Sequence, residues 1–228
     1  MNKLSIIIPA FNEIRSISQI IKKVKAVKIP KEIIIIDDGS TDGTREFLEK
    51  INDTEIKVFF HDKNRGKSSA IRTGIKHVTG DITIIQDADL EYDPADYKRL
   101  IKPIIDGRVK VVYGSRFSTP DKRPGILNPY FAANRVLTHM ANILYSSKIT
   151  DEPTCYKVFD TSVLKSLHLK SKRFEFCPEV TAKVSKAGWK ILELPISYYP
   201  RTLKEGKKIK FRDGIEAIWT LIKYRFVD

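Results

Sequence analysis

Short apolar runs alternate with longer amphipathic stretches through the first half of the chain. The segments LSIII (4–8), EIIII (32–36), IKVFF (56–60), ITIIQ (82–86) and VKVVYG (109–114) are rich in β-branched side chains and end at turn residues, which predicts five strands. Between the first two, Ile14, Ile17, Ile21 and Val24 recur at helical spacing, and TDGTREFLEKI (41–51) opens with a capping residue before its apolar face. The half therefore reads βαβαβαβ. That alternation predicts an α/β fold, a mainly parallel sheet with helices on both faces, whose ligands bind at the carboxyl ends of the strands.

Beyond residue 115 the rhythm is less regular. Residues 128–147 predict a long helix, CYKVFD (155–160) a strand, 178–188 a helix and 189–201 a late strand. No repeat, low-complexity tract or linker divides the chain, so residues 1–228 are expected to form a single domain. In the tail, Phe211, Ile215, Ile218, Trp219, Ile222 and Phe226 share one helical face, with Arg212, Lys223 and Arg225 elsewhere. Residues 211–228 thus fit either an amphipathic helix lying in a membrane surface or a helix packed on the protein's own core. The apolar start is too short for a signal peptide, and no run has the length of a membrane span.

Charge narrows the partners. Lys and Arg number 41 against 28 Asp and Glu, a net charge of +13 that favours a polyanion: nucleic acid, an anionic membrane or a phosphorylated substrate. Nucleic acid is the weakest of the three, because no base-stacking or groove-entering motif accompanies the charge. Cys155 and Cys177 have neither metal-ligand spacing nor disulfide-scaffold density, which suits a reducing, cytoplasmic compartment.

Three predicted strand ends carry polar clusters: PAFNE (9–13), DDGSTDG (37–43) and DADLE (87–91). Asp37 and Asp38 suit a tight turn as well as a ligand. Asp87 and Asp89 lie two apart, which in extended backbone sends both carboxylates to one side, where they could hold Mg²⁺ or Mn²⁺ together with substrate phosphates. Other chemistries are disfavoured. Gly66-Lys67-Ser68 lacks the earlier glycine of a P-loop, although Lys67 can still meet an anion, and no strand is followed by a dinucleotide-binding glycine fingerprint. The four histidines show no ligand or triad pattern and receive no role.

The motifs SIIIPAFNE, IIIIDDGSTDGT, NRGKSSAIRTGI, QDADLEYDP and YGSRF, in that order, resemble those of family-two glycosyltransferases with the GT-A, Rossmann-like fold. Within that family they are most similar to the polyprenyl-phosphate glycosyltransferases, which include dolichol-phosphate mannose and glucose synthases. The resemblance implies that Pro9, Asn12, Glu13 and Asp37 hold the nucleoside, and that Asp87 and Asp89 bind the metal and the donor diphosphate. Glu91 stands where some relatives carry a Gln that assists the metal. Arg116 and Arg135 match positions that meet the acceptor phosphate, while Arg201, Lys207 and Lys208 fall in a late loop that closes over the phosphates.

The expected activity is metal-dependent, inverting transfer of a hexose from a nucleotide sugar to a polyprenyl phosphate at the cytoplasmic membrane face. DADLEYDP resembles the UDP-sugar branch of the family more than the mannose branch, which makes UDP-glucose the first expected donor, with UDP-N-acetylglucosamine and GDP-mannose as alternatives. A saccharide hydroxyl would instead need a base, for which Asp151 and Glu152 are candidates. An inactive nucleotide-sugar-binding module is the non-enzymatic alternative.

Overall fold

The computed structural model describes residues 2–117, 129–201 and 211–227. Seven strands, β1 (Leu4–Ala10), β2 (Lys31–Asp37), β3 (Ile56–Phe60), β4 (Ile82–Ile85), β5 (Val111–Ser115), β6 (Lys157–Asp160) and β7 (Ile191–Pro195), form one sheet in the order β3-β2-β1-β4-β6-β5-β7. The expected parallel pairing holds for β1 with β2 and β4, for β2 with β3 and for β5 with β7. Among these described strands, β6 alone runs antiparallel, to β4 and to β5.

The central strands are apolar on both faces because both are covered. Ile6, Ile8, Ile33 and Ile35 pack into one core with Ile17, Ile20 and Val24 of α1 (Ile17–Ala26) and Tyr97, Leu100 and Ile104 of α4 (Tyr97–Ile105). Leu48 of the short α2 (Thr44–Glu49) joins that layer. The alternate positions Ile7, Ile34 and Ile36 face a second core with Ala70 and Ile71 of α3 (Lys67–His77). Leu137 of α5 (Pro129–Tyr145), Val163 of α6 (Thr161–Ser166), Val180 of α7 (Phe176–Lys186) and Leu221 of α8 (Phe211–Phe226) complete it. Each such fully buried aliphatic side chain stabilises the fold by about 1.5–3 kcal/mol relative to exposure.

The pairing directions decide where the chemistry gathers. The carboxyl ends of β1, β2, β4, β5 and β7 point to one edge of the sheet. Antiparallel β6 enters at that edge, so the loop before it, residues 146–156, joins the turns that follow the other strands.

Among the described residues, no helix is long and apolar enough to cross a membrane. The tail helix has two apolar faces. Ala217, Leu221 and Tyr224 are buried in the protein's own core, and Ile218 packs partly against it, whereas Ile215, Trp219 and Phe226 are exposed. Of the face expected from the sequence, Ile218 packs against the core and Ile215, Trp219 and Phe226 stay exposed, while the helix docks through a different face, Ala217, Leu221 and Tyr224.

Candidate active site

Two interlaced turns build one wall. Asn12, in the left-handed region at φ 52°, accepts a hydrogen bond on Oδ1 from the Thr41 amide at 2.8 Å, and its own amide donates to Ser40 Oγ at 2.9 Å. The Glu13 amide donates to Thr44 Oγ1 at 2.9 Å. Asp37 is fully buried and accepts from the Ser40 amide, which fixes the turn after β2. Asp38 accepts from the Arg65 and Gly66 amides at 3.0 and 2.7 Å and bonds His61 Nδ1 at 2.7 Å. It thereby aligns the loop that delivers Lys67. Gly66 is required there: its φ is 94°, and a Cβ would lie 2.5 Å from the Lys172 carbonyl oxygen. The first amides of α3 are already engaged, since Ser68 and Ser69 donate to the Arg173 and Lys172 carbonyls.

The acid turn forms the floor. Gln86 is buried and holds the turn at its start: its Oε1 accepts from Tyr97 Oη and Tyr156 Oη, both at 2.6 Å, and its Nε2 donates to the Asp87 carbonyl at 2.9 Å. β4 ends at Ile85, the chain turns at Ala88 and Asp89, and Leu90 adopts φ 65°. The extended geometry expected for Asp87 and Asp89 is therefore absent, because the strand stops before either residue. Each acid instead meets its own cation. Lys67 Nζ lies 2.6 Å from Asp87 Oδ1, and Arg201 Nη2 lies 2.6 Å from Asp89 Oδ2. Arg201 also reaches Glu91 Oε1 at 3.3 Å and Glu13 Oε2 at 3.5 Å. Glu91 further accepts from Tyr198 Oη at 3.2 Å, so it ties the segment after β7 to the acid turn.

The charges are unevenly settled. Burial opposes ionisation of Asp87, yet the Lys67 ammonium holds its carboxyl below the usual range. Burial and the neighbouring Asp87 and Glu91 carboxylates lift Asp89 to about 7 despite Arg201. Among the described residues, no three His, Cys, Asp or Glu side chains are gathered closely enough to cage a metal ion by themselves.

Arg116, just past β5, is forked onto buried Asp151, with Nε–Oδ2 and Nη2–Oδ1 both 2.7 Å, and its guanidinium lies over the Tyr198 ring. Glu152 is also fully buried; burial raises its carboxyl to about 8, and Thr181 Oγ1 donates to it at 3.1 Å. Neither acid lines the cleft. The suggestion that Asp151 or Glu152 acts as a base on an acceptor hydroxyl is therefore not supported by their placement: one is consumed by Arg116 and the other is sealed in the interior.

These parts enclose a cleft of about 640 Å³. Of the candidate residues, Pro9, Glu13, Asp38, Lys67, Asp87, Asp89, Glu91, Arg116 and Arg201 line it. Asn12 and Asp37 do not, because their side chains are turned into the loops they brace. Arg135, on α5, borders an adjoining hollow of about 270 Å³ that shares Phe117 and Phe131 with the cleft. Lys207 and Lys208 lie outside the described residues. Sequence reasoning passed over Asn64, Tyr92, Cys155, Arg173 and Tyr198, all of which line the cleft, and His61, which braces Asp38. Cys155 and Arg173 enter from the loops before β6 and α7, where no motif marks them.

The chain is 29% identical over 238 residues to UDP-N-acetylglucosamine–dolichyl-phosphate N-acetylglucosaminyltransferase of Methanococcus voltae, covering 95% of this chain and 94% of the relative. It is 28% identical over 198 residues to glycosyltransferase AglJ of Haloferax volcanii, covering 86% and 63%. Its fold matches glucosyl-3-phosphoglycerate synthase from Mycobacterium tuberculosis in complex with Mn²⁺, UDP and glucosyl-3-phosphoglycerate, with a TM-score of 0.73 at 18% identity, covering 100% and 81%. Residues 5–167 match the model of Glycosyl transferase family 2, and the chain is a GT-A glycosyltransferase of that family.

Proposed function

We propose that the protein transfers a hexose from a UDP-sugar to the phosphate of a polyprenyl or dolichyl lipid, with inversion, assisted by Mg²⁺ or Mn²⁺. The observation that carries this reading is that three cations, Lys67, Arg116 and Arg201, line one cleft with Asp87, Asp89 and Glu91, while Asp151 and Glu152 are withdrawn from it. A phosphate acceptor has a second pKa of about 6 and is ionised near neutral pH, so it attacks the anomeric carbon without a base. A saccharide hydroxyl would need one.

The carboxylate oxygens of Asp87, Asp89 and Glu91 are hard donors suited to Mg²⁺ or Mn²⁺, which keep few protein ligands and take substrate phosphates as the rest. Burial first and the Asp87 and Glu91 carboxylates second raise the Asp89 carboxyl, and an added cation would offset both, which supports that fit. A bound ion would supply positive charge to the departing diphosphate. Arg201 and Lys67 stand beside the same acids and would neutralise the charge that develops there. Arg116, held by Asp151, presents a preorganised guanidinium for the acceptor phosphate. Metal use is supported further by the structural relatives, which hold UDP with Mn²⁺ or with Mg²⁺.

DADLEYDP argues for UDP-glucose, whereas the name of the Methanococcus relative favours UDP-N-acetylglucosamine. Membrane association is part of the same reading. The lipid acceptor resides in a bilayer, and α8 exposes 63% of Trp219 and 81% of Phe226 beside Lys223 and Arg225. The deciding experiment offers radiolabelled UDP-N-acetylglucosamine, UDP-glucose and GDP-mannose to the protein with dolichyl phosphate and Mn²⁺. Metal-dependent lipid product from one UDP-sugar, lost in Asp89→Ala, is expected. Product only on a saccharide hydroxyl would refute the proposal.

A further inference from the structure

Among the described residues, four Lys or Arg line the cleft, and three of them already have acids. Lys67 pairs with Asp87, Arg116 with Asp151 and Arg201 with Asp89. The fourth, Arg173, is exposed in the segment before α7, and among the described residues no acid lies within ion-pair distance of its guanidinium. Its backbone, by contrast, is fixed from two sides. The Arg173 carbonyl accepts from the Ser68 amide at 2.8 Å and from Ser68 Oγ at 2.6 Å, and the Lys172 carbonyl accepts from the Ser69 amide at 2.9 Å, which laces the segment to the first turn of α3. Behind it, Arg72 Nη1 donates to the Lys170 and Ser171 carbonyls at 3.2 and 3.3 Å, and buried Glu179 accepts from the Lys170 and Ser171 amides at 2.7 and 2.8 Å. A Cβ on Gly66 would stand 2.9 Å from the Arg173 Cα, so Arg173 is anchored directly beside the loop that delivers Lys67. These bonds all use main-chain atoms of residues 170–173, and the guanidinium takes no part in them.

We propose that Arg173 is a phosphate-binding residue of the cleft, its guanidinium taking oxygen atoms of a substrate phosphate. Lys67, Arg116 and Arg201 divide their charge between a protein acid and any ligand, whereas Arg173 offers its whole charge to an anion. Its planar fork of N–H donors matches two phosphate oxygens at once, and the laced backbone holds that fork at the wall before the ligand arrives. The start of α3 is no substitute, because the Ser68 and Ser69 amides are spent on the Arg173 and Lys172 carbonyls. Two substrates of the proposed reaction carry phosphate, the diphosphate of the nucleotide sugar and the monophosphate of the lipid. The same chemistry serves either, and binding and kinetics tell them apart.

The assignment rests on the reading of the cleft as a nucleotide-sugar site, and inorganic pyrophosphate probes the anion site without it. Full-length wild type, Arg173→Ala, Arg173→Lys and Lys172→Ala are compared by calorimetry with pyrophosphate and with UDP, each with Mg²⁺, and by initial rates against dolichyl phosphate. Lys172 is the charge-matched control, since it is the exposed neighbour and does not line the cleft. Arg173→Ala should unfold at the wild-type urea midpoint and lose about tenfold or more in phosphate binding, with Arg173→Lys between them and Lys172→Ala like the wild type. Weaker binding of both UDP and pyrophosphate assigns the donor diphosphate. Unchanged binding of both, with a tenfold higher KM for dolichyl phosphate, assigns the acceptor phosphate. Unchanged affinities and KM in Arg173→Ala overturn the proposal, as does a loss for UDP alone, which places the guanidinium on the nucleoside, or an equal loss in Lys172→Ala. Pyrophosphate bound through Arg173 by a protein that does not bind UDP supports the phosphate site and overturns the nucleotide-sugar reading; a protein that binds neither and forms no lipid product overturns both.

Discussion

Arg201 Nη2 lies 2.6 Å from Asp89 Oδ2, and the same guanidinium spans Glu91 and Glu13. One cation thus meets three acids drawn from two strand ends, two of which, Asp89 and Glu91, are proposed ligands of a divalent ion. If ion and guanidinium compete for Asp89, Arg201→Ala should bind Mn²⁺ several-fold more tightly in the absence of donor. Turnover should nevertheless fall about 100-fold, because a preorganised charge at the leaving diphosphate is lost. Titration of Mn²⁺ by electron paramagnetic resonance, paired with initial rates, reads both. Unchanged Mn²⁺ affinity would show that the guanidinium does not occupy the ion's position.

Much of the wall of this cleft was legible in the chain. Strand ends in a parallel sheet share an edge, so PAFNE, DDGSTDG and DADLE had to converge once the βα alternation was recognised. Direction and fine geometry were not legible. Periodicity marks β6 as a strand but not as antiparallel, and that reversal is what brings Cys155 and Asp151 to the edge. The spacing of Asp87 and Asp89 predicted a shared face only on the assumption of extended backbone, and the Gln86 clamp ends the strand first. His61 could not be paired with Asp38 from sequence, since the contact joins the ends of two strands across 23 positions.

The Gln86 clamp makes a stability prediction. Its Oε1 is the acceptor for two phenols, Tyr97 and Tyr156, both buried. Gln86→Leu leaves both donors without it, at about 1–3 kcal/mol for each buried group that stays unsatisfied. A loss of about 2–6 kcal/mol is expected in urea unfolding, against about 1 kcal/mol for Tyr97→Phe, which leaves Gln86 its second donor. Equal costs for the two variants would mean that the clamp does not act as a unit.

Glu32 carries a pH dependence away from the catalytic chemistry. Its buried carboxylate accepts from Ser5 Oγ and the Thr79 amide, both at 2.6 Å, and meets Lys3 and Lys57, joining β1, β2 and the segment before β4. Burial raises its pKa, but these hydrogen bonds outweigh it and bring the carboxyl from 4.5 down to about 2. A depressed folded-state pKa gives stability that is complete above about pH 4.5 and is lost as pH falls toward 2. Allowing for solvent screening, the contribution is about 1–2 kcal/mol. The stability gap between wild type and Glu32→Gln should be constant from pH 7 to 5 and shrink below 4.5. A gap that persists unchanged to pH 2.5 would assign it to packing instead.

Trp219 separates a surface role from a core role for α8. Its side chain is 63% exposed, one turn from Ile215, which is also exposed, while Leu221 and Tyr224 on the opposite face are buried. A large exposed ring makes little contribution to folding, so Trp219→Ser should change unfolding stability by no more than about 0.5 kcal/mol. Membrane docking gives the ring a different value, because Trp favours the bilayer interface and nearby Lys223 and Arg225 attract anionic headgroups. Flotation with vesicles containing anionic lipid should show the wild type bound, Trp219→Ser several-fold weaker, and both released by high salt. Leu221→Ala, on the buried face, should instead cost about 2–5 kcal/mol in stability. If Trp219→Ser floats as well as wild type, α8 does not carry the membrane contact, and the exposed apolar face must be assigned another partner.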